Sequence, residues 1–370
     1  MSHKKNLIIS VTLAVFSLAG LTVACTKSVS LSQVFEAWNL RNSPSRVQFD
    51  FNHDFNQLPL AGKITKMPWS DTYWPSNEGG VAARWADPHA PDAFSYESPT
   101  LEEYENMSVN DRKMLSPAEK YDIFMGRFDY PTVQFERKRT KPTNESWEGI
   151  CHGWANAAIN FDEPKPLAVA GVNGITVEFG SSDVKALLSY YQGQVAPLPA
   201  LSRSLGATCL QNLELNPEAA NSPACKDTNP GAFHIALTNF IALRNRGFVV
   251  DVTRDAQVWN QPVYGYSSTI ESVRAPSEKA SPGTFKELII STQMNYTFEI
   301  EPNWDVVLDT REQSTKSKLY QYSLELNAAG DIIGGEWISD DRPDFLWFAE
   351  KPKFSDYYAN LENIYNQAIK

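Results

Sequence analysis

The run Trp147-Glu148-Gly149-Ile150-Cys151-His152-Gly153-Trp154-Ala155, continued by Ala157, Ala158 and Ile159, decides how this chain is read. Gly149 permits a tight turn or a close approach just before the thiol. The small and apolar residues beyond it suit a helix that ends by Pro164. The spacing therefore predicts Cys151 at or near a helix N-terminus, where unpaired N–H groups and the positive end of the dipole favour thiolate over thiol. The same N–H groups can hold the oxyanion of a tetrahedral intermediate. Pro230-Gly231-Ala232-Phe233-His234 and Phe248-Val249-Val250-Asp251 follow downstream. Cys, His and Asp in that order make a candidate nucleophile, base and orienting carboxylate.

The other histidines are weaker candidates for the base. His152 neighbours Cys151 on the helix, so their side chains diverge, and it reads as a supporting or surface residue. His53 and His89 lie in Asn- and Pro-rich stretches without a regular pattern. Residues 233–243 and 248–252 flank Arg244-Asn245-Arg246-Gly247 and read as a hairpin, with His234 opening the first strand. A regular register brings His234 nearer Asp255; a bulge brings it nearer Asp251.

The N-terminus is read as an export signal. Lys4 and Lys5 precede an apolar stretch over residues 7–24 that ends in Leu21-Thr22-Val23-Ala24-Cys25. The small residue before Cys25 resembles a lipoprotein signal, with Cys25 as the lipid-bearing residue and Thr26 pointing to an outer membrane. Thr22 departs from that pattern, and cleavage to a freely secreted protein stays open. Cys209 and Cys225 are then expected to pair in an oxidising compartment, a bridge worth about 3 kcal/mol by loop closure. That leaves Cys151 unpaired, either as an inert buried thiol or as a reactive one.

Composition narrows the partners. Removing Lys4 and Lys5 with the leader takes the formal net charge from −11 to −13, and a polyanion such as nucleic acid needs a basic footprint instead. With 23 Pro, 10 Trp, 15 Tyr and 19 Phe, a loop-rich, aromatic-lined fold is expected rather than a helical bundle. Apolar spacing predicts short helices over residues 117–126 and 183–192, the second packing near the catalytic helix. Strands are expected over 287–292, 296–302, 319–327 and 332–337, with a turn at Ala328-Ala329-Gly330-Asp331 and with Tyr320, Tyr322 and Leu324 on one face.

The segment Val258-Trp259-Asn260-Gln261-Pro262-Val263-Tyr264-Gly265-Tyr266 closely resembles the surface epitope by which plants recognise the oomycete transglutaminase elicitors. Tyr264 and Tyr266 stand where those proteins carry Arg and Phe. Trp69-Ser70-Asp71-Thr72-Tyr73-Trp74-Pro75, Ser116-Pro117-Ala118-Glu119-Lys120-Tyr121-Asp122, the Cys151 run, Asn229 to His234, and Gly334-Gly335-Glu336-Trp337 resemble that family in the same order. The bacterial-type signal is similar to that of marine, Vibrio-like relatives of the elicitors.

The resemblance implies an α+β fold, a papain-like cysteine transferase core with an antiparallel β-rich C-terminal part from about residue 270. Residues 25–60 would be a tether and wrapping segment, 61–350 the catalytic region and 351–370 a helical tail. It implies a protein-glutamine γ-glutamyltransferase with Cys151 as nucleophile, His234 as base and Asp251 as orienting carboxylate, and with Trp259 and Pro262 shaping the site. Its partners would be protein glutamines and lysine or polyamine amines. No cofactor is needed for that chemistry. The oomycete enzymes are associated with calcium, yet no run here has EF-hand spacing. The papain-type oxyanion glutamine is missing, and Glu145 stands there beside Asn144. The rival readings are a papain-like peptidase or glutamine deamidase, and a non-catalytic surface recognition protein.

Overall fold

Residues 42–370 are described by the computed structural model, apart from 197, 208–214, 217, 219–227 and 253–256. The strands are β1 (Ala61–Lys63), β2 (Leu167–Ala170), β3 (Thr176–Phe179), β4 (Ser202–Gly206), β5 (Phe248–Asp251), β6 (Asn260–Arg274), β7 (Lys286–Thr297), β8 (Thr315–Leu326), β9 (Ile332–Trp337) and β10 (Phe345–Ala349). The α-helices are α1 (Leu101–Asn106), α2 (Val109–Lys113), α3 (Pro117–Phe124), α4 (Pro131–Arg139), α5 (Cys151–Asn160), α6 (Ser181–Tyr190), α7 (Leu198–Leu201), α8 (Pro230–Thr238) and α9 (Leu361–Ala368). β2 and β3 form a small hairpin sheet. The others make one antiparallel sheet in the order β4-β10-β5-β6-β7-β8-β9, with β1 paired to β6.

Alternation along these strands divides the interior in two. On β10, Phe345, Trp347 and Ala349 face one core with Val249 of β5 and the α5 residues Trp154, Ala155, Ala157 and Ala158. Leu346, Phe348, Phe248 and Val250 face the other, with the α8 residues Phe233, Ile235 and Leu237. The sheet is thus a partition with α5 and α6 on one face and α8 on the other. Burying both faces explains the apolar run Phe248-Val249-Val250 of β5, whose last residue, Asp251, is buried with them.

Several elements follow from local sequence. Ser116 caps α3, with Pro117 in the first turn and Glu119 returning to the Ser116 N–H in a capping box. The expected helices over 117–126 and 183–192 are α3 and α6, and α6 packs against α5. The turn at 328–331 closes β8 onto β9, and Tyr320, Tyr322 and Leu324 share the α8-side core.

Two expectations are corrected. Residues 233–243 are not a hairpin strand but the end of α8 and a following π-turn, Asn239–Leu243. The signal was Asn229-Pro230: the Asn229 side chain accepts from the Gly231 N–H, and proline fits the first helical turn, where no N–H partner is lost. Residues 298–302 are not a strand, because β7 runs unbroken from Lys286 and ends at Thr297. The β-rich part also shares its sheet with β1, β4 and β5, so strands from both halves of the chain build one layer.

Candidate active site

Cys151 opens α5, with Ile150 at the N-cap and no side chain capping the helix. In the first turn the Gly153 N–H already donates to the Ile150 carbonyl at 2.9 Å, which leaves the N–H groups of Cys151 and His152 without an intrahelical acceptor. The preceding loop is clamped onto residues 73–76: Ile150 N–H donates to the Tyr73 carbonyl at 2.7 Å, and Ser76 N–H to the Glu148 carbonyl at 2.7 Å. A Cβ on Gly149 would sit 2.4 Å from the Tyr73 oxygen, so only glycine lets the two segments close on each other.

The sheet supplies the other wall. In the β5–β6 register Asp251 lies opposite Asn260, and alternation from Val249 turns that pair toward α5. Asn260 Nδ2 donates to Cys151 Sγ at 3.6 Å, and the thiol points to the Val258 carbonyl at 3.5 Å. Trp347 Nε1 donates to Asn260 Oδ1 at 2.7 Å. An indole N–H can only donate, so it fixes which end of the amide meets the sulfur. Asp251 is buried, and its Oδ1 accepts the Trp259 N–H at 3.1 Å.

Burial pushes the Cys151 thiol pKa up, opposed by the Asn260 backbone and side-chain hydrogen bonds and reinforced by the charges of Glu299 and Asp251. The resting sulfur is a thiol. Turnover then requires a group that takes its proton.

The structure does not bring His234 to this site, which corrects the expected triad. His234 is wholly buried on α8, on the opposite face of the sheet from α5. Its Nδ1 meets the Tyr322 hydroxyl at 2.8 Å, its ring stacks on Phe55, and Nε2 has no partner among the described residues. Burial pushes its pKa down to about 3. The helix, where a strand was expected, carries it into the second core.

A cavity of about 230 Å³ opens over the thiol, lined by Cys151, His152, Asn260, Ser76, Arg139 and Asn144 among others. His152, expected as a supporting or surface residue, lines this cavity. Its Nε2 lies 3.2 Å from the Gly193 carbonyl, in the π-turn Tyr191–Val195 that follows α6. A carbonyl only accepts, so Nε2 carries the proton toward Gly193 and Nδ1 is the acceptor; the Gln194 amide nitrogen, 3.3 Å from the same Nε2, donates to it only in the other tautomer. Gly153 allows this packing, since a Cβ there would meet the Ser189 carbonyl oxygen at 2.2 Å. Burial pushes the His152 pKa down, keeping the ring neutral. Arg139 is held by Glu136 through Nε at 3.1 Å and Nη2 at 2.6 Å, and donates from Nη1 to Ser76 Oγ at 2.8 Å.

Of the remaining expected site residues, Pro262 is buried opposite Val249, beneath α5. Trp259 is half-buried at the entry to β6, edge-on to Tyr73. Asn144 lines the cavity but its amide turns to the Arg139 carbonyl at 3.5 Å, leaving Asn260 as the amide at the sulfur. Asp255, Cys25, Cys209 and Cys225 lie outside the described residues. Among the described residues no group of three or more His, Cys, Asp or Glu could hold a metal ion, so no calcium ligand is assigned.

The transglutaminase elicitor family model matches residues 138–360, which take in α5, the cavity lining apart from Ser76, and most of the sheet. The chain belongs to that family. Its fold is similar to that in the crystal structure of the GP42 transglutaminase from Phytophthora sojae, with a TM-score of 0.60 at 23% identity over 86% of this chain and 94% of that one. No curated protein matches. What this elicitor-family chain shares with GP42 is a mixed helical and antiparallel-sheet fold.

Proposed function

We propose that this protein is a protein-glutamine γ-glutamyltransferase that joins glutamine side chains to primary amines through a thioester on Cys151. The observation that carries the reading is the thiol at the start of α5, facing an open cavity and held by Asn260. As the sulfur attacks the carboxamide carbon, His152 Nδ1 takes the thiol proton and passes it to the departing nitrogen, which leaves as ammonia. The Asn260 amide and the Cys151 N–H at the start of α5 stabilise the oxyanion. An amine then attacks the thioester carbon, its proton passes to His152 and on to the sulfur, and an isopeptide bond results. Water in place of the amine gives deamidation.

Asp251 acts through position, receiving the Trp259 N–H and holding the residues just before β6 beside the sulfur. The leader supports export, either anchored through Cys25 or free. The burial that keeps Cys151 protonated favours a second reading, a surface recognition protein without catalysis. Incorporation of a labelled primary amine into a glutamine-rich acceptor, with and without calcium, separates the two. Incorporation that disappears in Cys151→Ala supports the transferase. Cys151-dependent ammonia release or cleavage without incorporation supports the hydrolase, and inertness supports recognition alone.

A further inference from the structure

Beside the Cys151 cavity lies a second one, of about 300 Å³, lined by Trp74, Pro75, Glu78, Trp85, Asp87 and Glu301 among others. The two share a wall. Ser76 lines the thiol cavity while Trp74 and Pro75 line this one, and the segment is fixed by the two 2.7 Å backbone bonds to the Cys151 loop. Tyr73, at the start of that segment, has its phenol pKa raised by burial and then by the charges of Glu78, Glu299, Cys151 and Glu301, so the acids and the thiol share one electrostatic neighbourhood.

The chemistry of the second cavity is one-sided. Its lining carries three carboxylates and one cation, Arg84, whose guanidinium is already held by Glu119 at 2.9 and 2.6 Å. The Trp85 ring is fixed by its indole N–H, which donates to Asp183 at 2.8 Å. A rigid indole among carboxylates that have no matching cation among the described residues suits an alkylammonium, through ring-face attraction and charge together.

We propose that this cavity is the subsite for the acyl acceptor, taking the distal ammonium of an aliphatic polyamine while its other amine reaches the thioester on Cys151. The inference rests on the transferase reading, and adds to it a site for a class of amine. Monoamines lacking a second charge react without using it.

Calorimetric titration of spermidine into the Cys151→Ala protein tests the site apart from turnover. Saturable binding is expected, weakened about tenfold in the same protein carrying Glu78→Gln and Glu301→Gln. In the active enzyme the paired variant should raise KM for spermidine by the same factor and leave butylamine kinetics and kcat unchanged. Absent binding, or equal binding by both proteins, overturns the subsite. Binding that weakens as expected in a protein that incorporates no amine upholds the subsite and refutes the transferase; incorporation with an unchanged spermidine-to-butylamine ratio does the reverse.

Discussion

Replacing His234 with glutamine separates a core histidine from a catalytic one. A general base contributes about 10²- to 10⁴-fold to the rate, so its loss would be unmistakable. From its place on α8, His234→Gln should leave amine incorporation by the folded protein within about threefold of wild type, far short of that loss. The cost falls on stability instead. Losing the ring that stacks on Phe55 and meets Tyr322 should remove about 1–3 kcal/mol at neutral pH. Acid then reverses part of the difference. Below pH 6.5 the unfolded chain takes up a proton on this residue that the native ring, its pKa pushed down to about 3, refuses. Native stability therefore falls by about 1.4 kcal/mol per pH unit over that window, or ~2 kcal/mol by pH 5, and the variant lacks this component. Urea unfolding midpoints at pH 7 and pH 5, beside amine incorporation, read both quantities. An incorporation loss above about 100-fold with an unchanged midpoint would refute the placement of His234.

Asn260→Ala should lower kcat by about 10²–10³, as loss of an oxyanion donor does, with a further 1–3 kcal/mol of destabilisation from the orphaned Trp347 indole; kinetics and urea unfolding report the two. His152→Gln should cost at least about 100-fold in kcat, with melting behaviour close to wild type. Because burial lowers the His152 pKa, the acid limb of wild-type kcat/KM should fall below pH 6.5, and a limb unchanged in the variant would remove this residue from the proton path. Lys120→Met strands the buried Asp183 carboxylate, which Lys120 holds at 2.5 Å, and should destabilise by about 3–5 kcal/mol in urea unfolding. Gly149→Ala drives a Cβ against the Tyr73 carbonyl and should cost about 1–3 kcal/mol, together with activity, because the Cys151 loop must shift.

The local signals in the sequence were reliable where chemistry is written into neighbouring residues. Cys151 at a helix start followed from Gly149 and the small residues behind it, α3 from its capping box, and the β8–β9 hairpin from its turn. The failure at residues 233–243 has a physical cause. An almost continuously apolar run has no period, so a buried helix and a buried strand look alike, and the Asn229-Pro230 cap was the only discriminating mark. That error displaced the base, since an α8 helix lies across the sheet from Cys151 whereas a β5 partner strand would not. Asn260 stands in the Trp259-Asn260-Gln261 run with no local mark of its role. Its role depends on standing opposite Asp251 in register and on the indole of Trp347, 87 residues away, and such pairings are not local. His152 and Cys151 diverge about the helix as neighbours must, yet both line the cavity, and the Gly193 carbonyl that holds the His152 ring is 41 residues away and not a local signal.

Mixing the protein with a labelled glutamine peptide in the absence of any amine, quenching in acid and measuring intact mass tests the central claim most directly. The expected result is a thioester adduct, the peptide mass less ammonia, located on Cys151, absent in Cys151→Ala and discharged on adding a primary amine. A wild-type protein that forms no adduct and releases no ammonia would contradict the account and leave Cys151 a buried structural thiol.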